Sequence, residues 1–224
     1  MKLVASWSGG KDSCFACYKA IQEGHAVSHL LTMMSDPQKS NFHMIPSDLL
    51  DAQSEAIGIP IEKWTTTPAT YEQDFKKALL KLKAEGVEGI VTGDVFDVAL
   101  HEAGWLERIC KEVGLVPVRP LWHRDTTQIL REFIAAGFKA VLVRVKTELL
   151  GLEWLGREIT QAFFDDLCRL GTVDPCGEHG EFHTLVIDGP IFRKRLEILE
   201  NEKVRLNGYG RLMIKSFTVK SKKW

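Results

Sequence analysis

Residues Ser8-Gly9-Gly10-Lys11-Asp12-Ser13, directly after the apolar run Leu3-Val4-Ala5-Ser6-Trp7, decide the fold. A short strand, a glycine-rich turn and a helix start at Cys14, in that order, make a phosphate site. Adjacent glycines let backbone N–H groups converge on an anion with no Cβ in the way, and the helix N-terminus adds partial positive charge. Lys11 supplies a full charge, and the hydroxyls of Ser8 and Ser13 can donate to phosphate oxygens. Asp12 fits beside a phosphate once a divalent metal is included, because a carboxylate can hold a Mg2+ that bridges phosphates. The stretch is not a Walker A loop, which needs a glycine where Ala5 stands and Ser or Thr where Asp12 stands. An ordinary glycine turn is the plain alternative. Residue type and context agree along the whole stretch, and the phosphate reading is the stronger.

Apolar runs then alternate with longer helical patterns. Strands are expected at 2–7, 26–33, 60–65, 89–93, 115–121 and 139–145, and helices at 14–23, 47–57, 71–85, 98–113 and 126–136. Within 71–85, Phe75, Leu79 and Leu82 recur at helical spacing and Gly86 follows as a stop. The run 139–145 is short and β-branched, as a buried strand should be. This alternation implies βαβ units and an α/β fold with a parallel, doubly wound sheet. After about residue 146 the rhythm changes to a short helix at 160–169, a glycine-rich acidic loop, a strand at 183–187 and alternating residues at 211–219. A smaller C-terminal α+β region, packed at the sheet's carboxyl edge, is the expectation. Ligands of open α/β sheets bind outside the carboxyl ends of the strands. Gly93-Asp94-Val95 ends the fourth strand, where a glycine allows close ligand approach and Asp94 can orient ribose or metal. A strand-ending turn with an N-capping acid is an equal reading there.

The 224 residues suffice for one large domain or a domain with a smaller partner, and 45% hydrophobic with 26% charged residues is a globular composition. A net charge of −1 supplies no global basic field for nucleic acid or an anionic membrane. Five cysteines, an odd count, argue against a disulfide framework. The glycine loop follows the first residue too closely for a signal peptide, and no apolar run approaches the ~20 residues of a membrane span. A cytoplasmic, reducing location is expected. The lysines at 220, 222 and 223 read as a solvated tail.

The hexapeptide 8–13 resembles the PP-loop of the ATP pyrophosphatases, which include GMP synthetase, asparagine synthetase and argininosuccinate synthetase. That resemblance implies an adenine nucleotide alpha hydrolase-like sheet and cleavage of ATP between its α- and β-phosphates. It also implies that the backbone after the second strand, at Met33-Met34-Ser35, lies near the adenine. A second motif, Gly177-Glu178-His179-Gly180-Glu181-Phe182-His183-Thr184, gathers two carboxylates and two imidazoles. With Trp122-His123-Arg124-Asp125 and Glu153-Trp154-Leu155-Gly156-Arg157, it resembles the diphthine–ammonia ligase family, whose loop has the form Glu-x-Gly-Glu-Phe-x-Thr. The likeness runs in order from about residue 2 to about residue 193 and weakens in the tail. It implies ATP-dependent amidation of the diphthine carboxylate on translation elongation factor 2, releasing AMP and pyrophosphate. It divides the chain into a PP-loop ATP-binding domain at 1–125 and a substrate-binding domain at 126–224.

The chemistry suits these residues. A carboxylate will not exchange an oxygen for ammonia until adenylation turns that oxygen into a leaving group, and positioning with charge neutralisation can supply most of the rate. ATP is assigned to Ser8, Gly9, Gly10, Lys11, Asp12, Ser13, Met33, Gly93 and Asp94, with Asp12 assisting Mg2+. Lys11, Asp12, Glu178 and Glu181 are the catalytic candidates, the two glutamates binding or deprotonating ammonium. Substrate contacts are assigned to Trp154, Arg157, His43, Glu178 and Glu181, with Trp154 offering a cation–π contact to a trimethylammonium group. Ammonium and elongation factor 2 are the implied partners, membrane and nucleic acid are not, and a homodimer is left open. Cys176-x2-His179-x3-His183 invites a zinc reading that lacks a fourth ligand. Cys14-x2-Cys17 invites a redox reading in which the helix dipole lowers the Cys14 pKa; two small buried residues explain the pair as well. The rival functions are an RNA-modifying PP-loop enzyme, which would need a basic surface, a nucleotide sensor without catalysis, and a ligase for some other carboxylate.

Overall fold

The computed structural model describes residues 1–36, 39–40, 45–97 and 102–222. Two units emerge: Met1–Ser8 with Asp12–His123, and Gly9–Lys11 with Arg124–Trp224. In the first, the alternation seen in the sequence becomes β1 (Lys2–Ser6), α1 (from Lys11, to Gln22), β2 (Ala26–Asp36), β3 (Lys39–Ser40), α2 (Ser47–Ile57), β4 (Ile61–Thr65), α3 (Tyr71–Ala84), β5 (Gly89–Val91), α4 (Trp105–Val113) and β6 (Val116–Val118). Five strands run parallel in the order β4-β2-β1-β5-β6, and β3 pairs antiparallel with the end of β2.

β1 is central and its Leu3, Val4 and Ala5 are buried, because parallel strands are covered on both faces. The periodicity in 71–84 does what it promised: Phe75, Ala78, Leu79 and Leu82 face a core that includes Val4, Leu31, Ile90 and Ile109. From β1 the chain proceeds to one side through β2 and β4, then returns to the other through β5 and β6. The order therefore reverses between β1 and β5, and the loops that follow their carboxyl ends flank a topological switch point. Those loops carry Ser8–Ser13 and Gly93–Asp94.

The second unit holds α5 (Thr126–Ala135), β7 (Lys139–Lys146), α6 (Gln161–Leu170), β8 (Phe182–Asp188), β9 (Lys194–Leu206) and β10 (Tyr209–Ser221). Its sheet is antiparallel in the order β8-β7-β10-β9. Residues 139–145 were expected to continue the parallel alternation; they form an interior strand of this second sheet instead. A strand covered on both faces reads as one apolar run in either kind of sheet, so the run alone does not reveal its partners. β9 lay outside the expected strands because its Lys- and Glu-rich second half is exposed on both faces. Asn207-Gly208, with φ of 50° and 77°, closes the β9–β10 hairpin and is the signal that was available. The helix expected over 98–113 appears as α4 from Trp105, and residues 98–101 lie outside the described residues. Among the described residues, no helix is long and apolar enough to cross a membrane.

Candidate functional site

The glycine turn is built as its composition demands. Gly9 has φ of 78°, in the left-handed region that favours glycine, and the Ser8 amide and hydroxyl lie 3.3 and 3.1 Å from Ser13 Oγ across the turn. α1 starts at Lys11, with Asp12 in its first turn. Gly93 packs directly on that first turn: a Cβ there would lie 2.5 Å from the carbonyl carbon of Asp12 and 2.6 Å from the Ser13 amide nitrogen. The glycine is thus required for strand-to-helix approach. Asp94 sits near Tyr71, whose hydroxyl is pushed well above its ordinary pKa by burial and then by this carboxylate.

Met33 buries its side chain in the core, so only its backbone is available to a ligand. The carbonyl of Leu31 accepts from Trp7 on the β1 side and that of Met34 accepts from Thr66 on the β4 side. Strand alternation turns the Met33 amide and carbonyl back to the β1 side, beyond the pairing of β1, which ends at Ser6↔Leu31.

In the second unit, Lys11 is 3% exposed. Its amide donates to Thr184 Oγ1 at 3.0 Å, its ammonium donates to the Cys176 carbonyl, and the ammonium lies 5.6 Å from the Phe182 ring centroid. The Val186 amide donates to the Gly9 carbonyl at 3.0 Å. β8 and the loop before it therefore hold the three-residue segment Gly9–Lys11.

That loop is organised by two carboxylates. Glu181, 3% exposed, accepts from the amides of Asp174 (3.1 Å) and His179 (2.8 Å). Asp174 accepts from the amides of Cys176 (2.8 Å) and Glu178 (3.3 Å) and from the Thr126 hydroxyl (2.7 Å). Gly177 and Gly180 take φ of 73° and 77° to close the turns. Glu178 remains half-buried in the same loop. The sequence reading paired Glu178 with Glu181 as equals; the structure gives Glu181 to the loop backbone. Asp174 was missed, although Asp174-Pro175 is a turn-starting dipeptide.

The other assigned residues divide. Arg157 stacks on the Trp154 ring at 4.3 Å and pairs with Asp166 at 2.5 Å, so one face of that ring is covered by the chain's own guanidinium. The segment around them ties onto β7, with Gly156 donating to Leu142 and Leu142 to Arg157. Asp125 caps α5 by accepting from the Gln128 amide at 2.8 Å. His43 lies outside the described residues. Of the two readings of Cys14 and Cys17, the structure fits the pair of small buried residues: both thiols are buried, and burial pushes Cys17 up to about 12 and Cys14 well above its usual value, aided there by Cys17 and Asp12. Desolvation outweighs the helix dipole. All five cysteines are thiols, and Cys176 donates to the Thr126 carbonyl at 3.3 Å. Among the described residues, no group of three or more His, Cys, Asp or Glu gathers to hold a metal ion. Asp12 alone still suits Mg2+ of the nucleotide-bound kind, which takes most of its ligands from phosphate and water.

With this geometry in place, known proteins are informative. The family model described as "Diphthamide synthase N-terminal domain" matches residues 1–117, and that described as "Diphthamide synthase C-terminal domain" matches residues 125–219. The chain belongs to the diphthamide synthase family. Among curated relatives, the diphthine–ammonia ligases of Mus musculus and Homo sapiens are 27% and 29% identical to it, each alignment covering 91% of this chain and 85% of the relative. That of Schizosaccharomyces pombe is 26% identical over 91% of this chain and 37% of the relative. A solved structure described as a "predicted subunit of tRNA methyltransferase" from Methanocaldococcus jannaschii has a TM-score of 0.48 at 17% identity, covering 84% of this chain and 97% of that one. Family membership makes this diphthamide synthase homologue an enzyme of the ligase type and implies the use of ATP.

Proposed function

We propose that the protein adenylates the carboxylate of diphthine on elongation factor 2 and amidates it with ammonium, releasing AMP and pyrophosphate. The observation that carries this reading is the attachment of Lys11 to Thr184 Oγ1 of the Glu178–Thr184 motif and to the Cys176 carbonyl just before that motif. One hydrogen-bonded unit then contains both the phosphate-binding lysine and the carboxylate-bearing loop. A buried lysine ammonium has little water to screen it, so a phosphate reaching it gains more than at an exposed lysine.

The amides of Gly9 and Gly10 and the Lys11 ammonium neutralise the β- and γ-phosphates, with Ser8 and Ser13 as hydroxyl donors. The backbone of Met33, facing the side that β1 vacates, takes the adenine edge. Mg2+, held through Asp12, would supply charge neutralisation between phosphates when bound. A carboxylate oxygen of the acceptor attacks the α-phosphorus and pyrophosphate leaves; ammonia then attacks the carbonyl carbon and AMP leaves with that oxygen. Glu178 binds ammonium and takes its proton, while Glu181 keeps the loop in shape. In this proposal residues 1–125 bind ATP, residues 126–224 meet the acceptor, and the reaction runs in the cytoplasm.

The test is to incubate the protein with Mg·ATP and ammonium, with and without diphthine-bearing elongation factor 2, and to resolve the nucleotides. AMP and pyrophosphate formed only with the acceptor are expected. ADP as the product, or no turnover with this acceptor, would overturn the reading.

A further inference from the structure

The second sheet sets two arginines directly opposite each other with no acid between them. Arg144 on β7 pairs with Arg211 on β10, and on its other side with His183 on β8, so all three project from one face at one level. A register shift between Leu142 and Arg144 is the irregularity that turns Arg144 to this face. Cross-strand neighbours of this kind hold their Cβ atoms roughly 5 Å apart, and like charges so placed repel.

Among the described residues, neither guanidinium is paired with a carboxylate. The Nε of each is shielded from solvent and lacks a hydrogen-bond acceptor. The Arg144 guanidinium is instead stacked 3.8 Å above the Tyr209 ring, which fixes its plane. Burial disfavours its charge; Tyr209 offsets part of this, and Arg211 adds to it. A fold gains little from two half-buried cations opposed in register, each with an Nε that meets no acceptor. An oxyanion laid across them would meet two planar donor forks, one already oriented by an aromatic ring.

The site is separate from the phosphate loop. Lys11 meets Phe182 and Thr184, which flank His183 on β8 and therefore point to the other face of that strand. We infer that Arg144 and Arg211 form a binding site for a carboxylate or phosphate oxyanion on the face of the second sheet opposite Lys11. The oxyanion comes either from free phosphate or from an acidic group on the protein acceptor; the second source rests on the proposed ligase reaction, the first does not.

Two titrations of the full chain separate these sources. The first is calorimetric titration with inorganic phosphate, without nucleotide, of wild type and Arg144→Gln/Arg211→Gln. The second compares the KM for the acceptor protein and for ATP in the same pair. Loss of two charge-assisted forks is expected to weaken one of the two affinities at least about tenfold, with the KM for ATP unchanged. Weakened phosphate binding assigns the free anion, and a raised acceptor KM with no phosphate binding assigns the acidic group. Both are also read on Arg211→Lys, which keeps the charge but loses the planar fork, so a double variant that fails to fold does not decide the matter. Unchanged phosphate affinity together with an unchanged acceptor KM overturns the site.

Discussion

The glycine loop at 8–13 and the acidic loop at 174–184 both bring charge to a turn, yet they are held by opposite means. The first is shaped by what is missing: Gly9 adopts a positive φ, and Gly93 lets a strand end touch the first turn of α1. The second is shaped by what is added, since the carboxylates of Asp174 and Glu181 accept from four backbone amides of their own loop. Absence of a side chain is written in the sequence as glycine. A carboxylate in the sequence does not say whether it faces a substrate or its own backbone. Two acids three residues apart in one motif thus sit differently: Glu181 is buried in the loop's hydrogen bonds and Glu178 is half-exposed.

Substitutions in the two loops sharpen this contrast. Lys11→Ala removes the full charge at the phosphates and is expected to cost about 10³-fold in AMP formation, the upper range for losing one electrostatic donor. Glu178→Gln is expected to lower amidation about 10²-fold while the melting temperature stays at the wild-type value. Glu181→Ala should instead destabilise the protein by about 2 kcal/mol in urea denaturation, because two partly buried amides lose a charged acceptor. If Glu181→Ala melted like wild type and Glu178→Gln did not, the roles assigned to the two glutamates would be reversed. Gly93→Ala is expected to cost about 3 kcal/mol or more, read by the same denaturation and by a raised KM for ATP, since its Cβ would overlap the Asp12 backbone.

The smallest effect lies away from both loops. Arg108, followed by Lys76 and Trp105, holds the Glu72 carboxyl well below the usual carboxylate range. A depressed folded-state pKa stabilises above the unfolded value of about 4.3, and that contribution is lost as pH falls below it. The pair is more than a third exposed, so solvent keeps the contribution to at most about 1 kcal/mol. The melting temperature should fall more steeply in wild type than in Glu72→Gln below about pH 4.

The parallel sheet was legible because its strands and helices alternate at short range, and 71–84 shows its buried face at every turn. What the sequence hid was pairing at a distance. Nothing local to 139–146 says that its neighbours are β8 and β10, which follow tens of residues later. Of the candidate site, the glycine loop was readable from residue type and order. Asp174 and Thr126 were not, because their roles depend on a 48-residue separation closed only by the fold. Arg157 and Trp154 stand in one motif and face each other, which spacing alone does not reveal.

Isotope transfer tests whether the acceptor carboxylate attacks the α-phosphorus. Diphthine-bearing elongation factor 2 labelled with 18O in both carboxylate oxygens would be amidated with unlabelled ATP and ammonium. One 18O in each AMP released and none in pyrophosphate is the expected result. Label recovered in inorganic phosphate, with ADP as the nucleotide product, would contradict it.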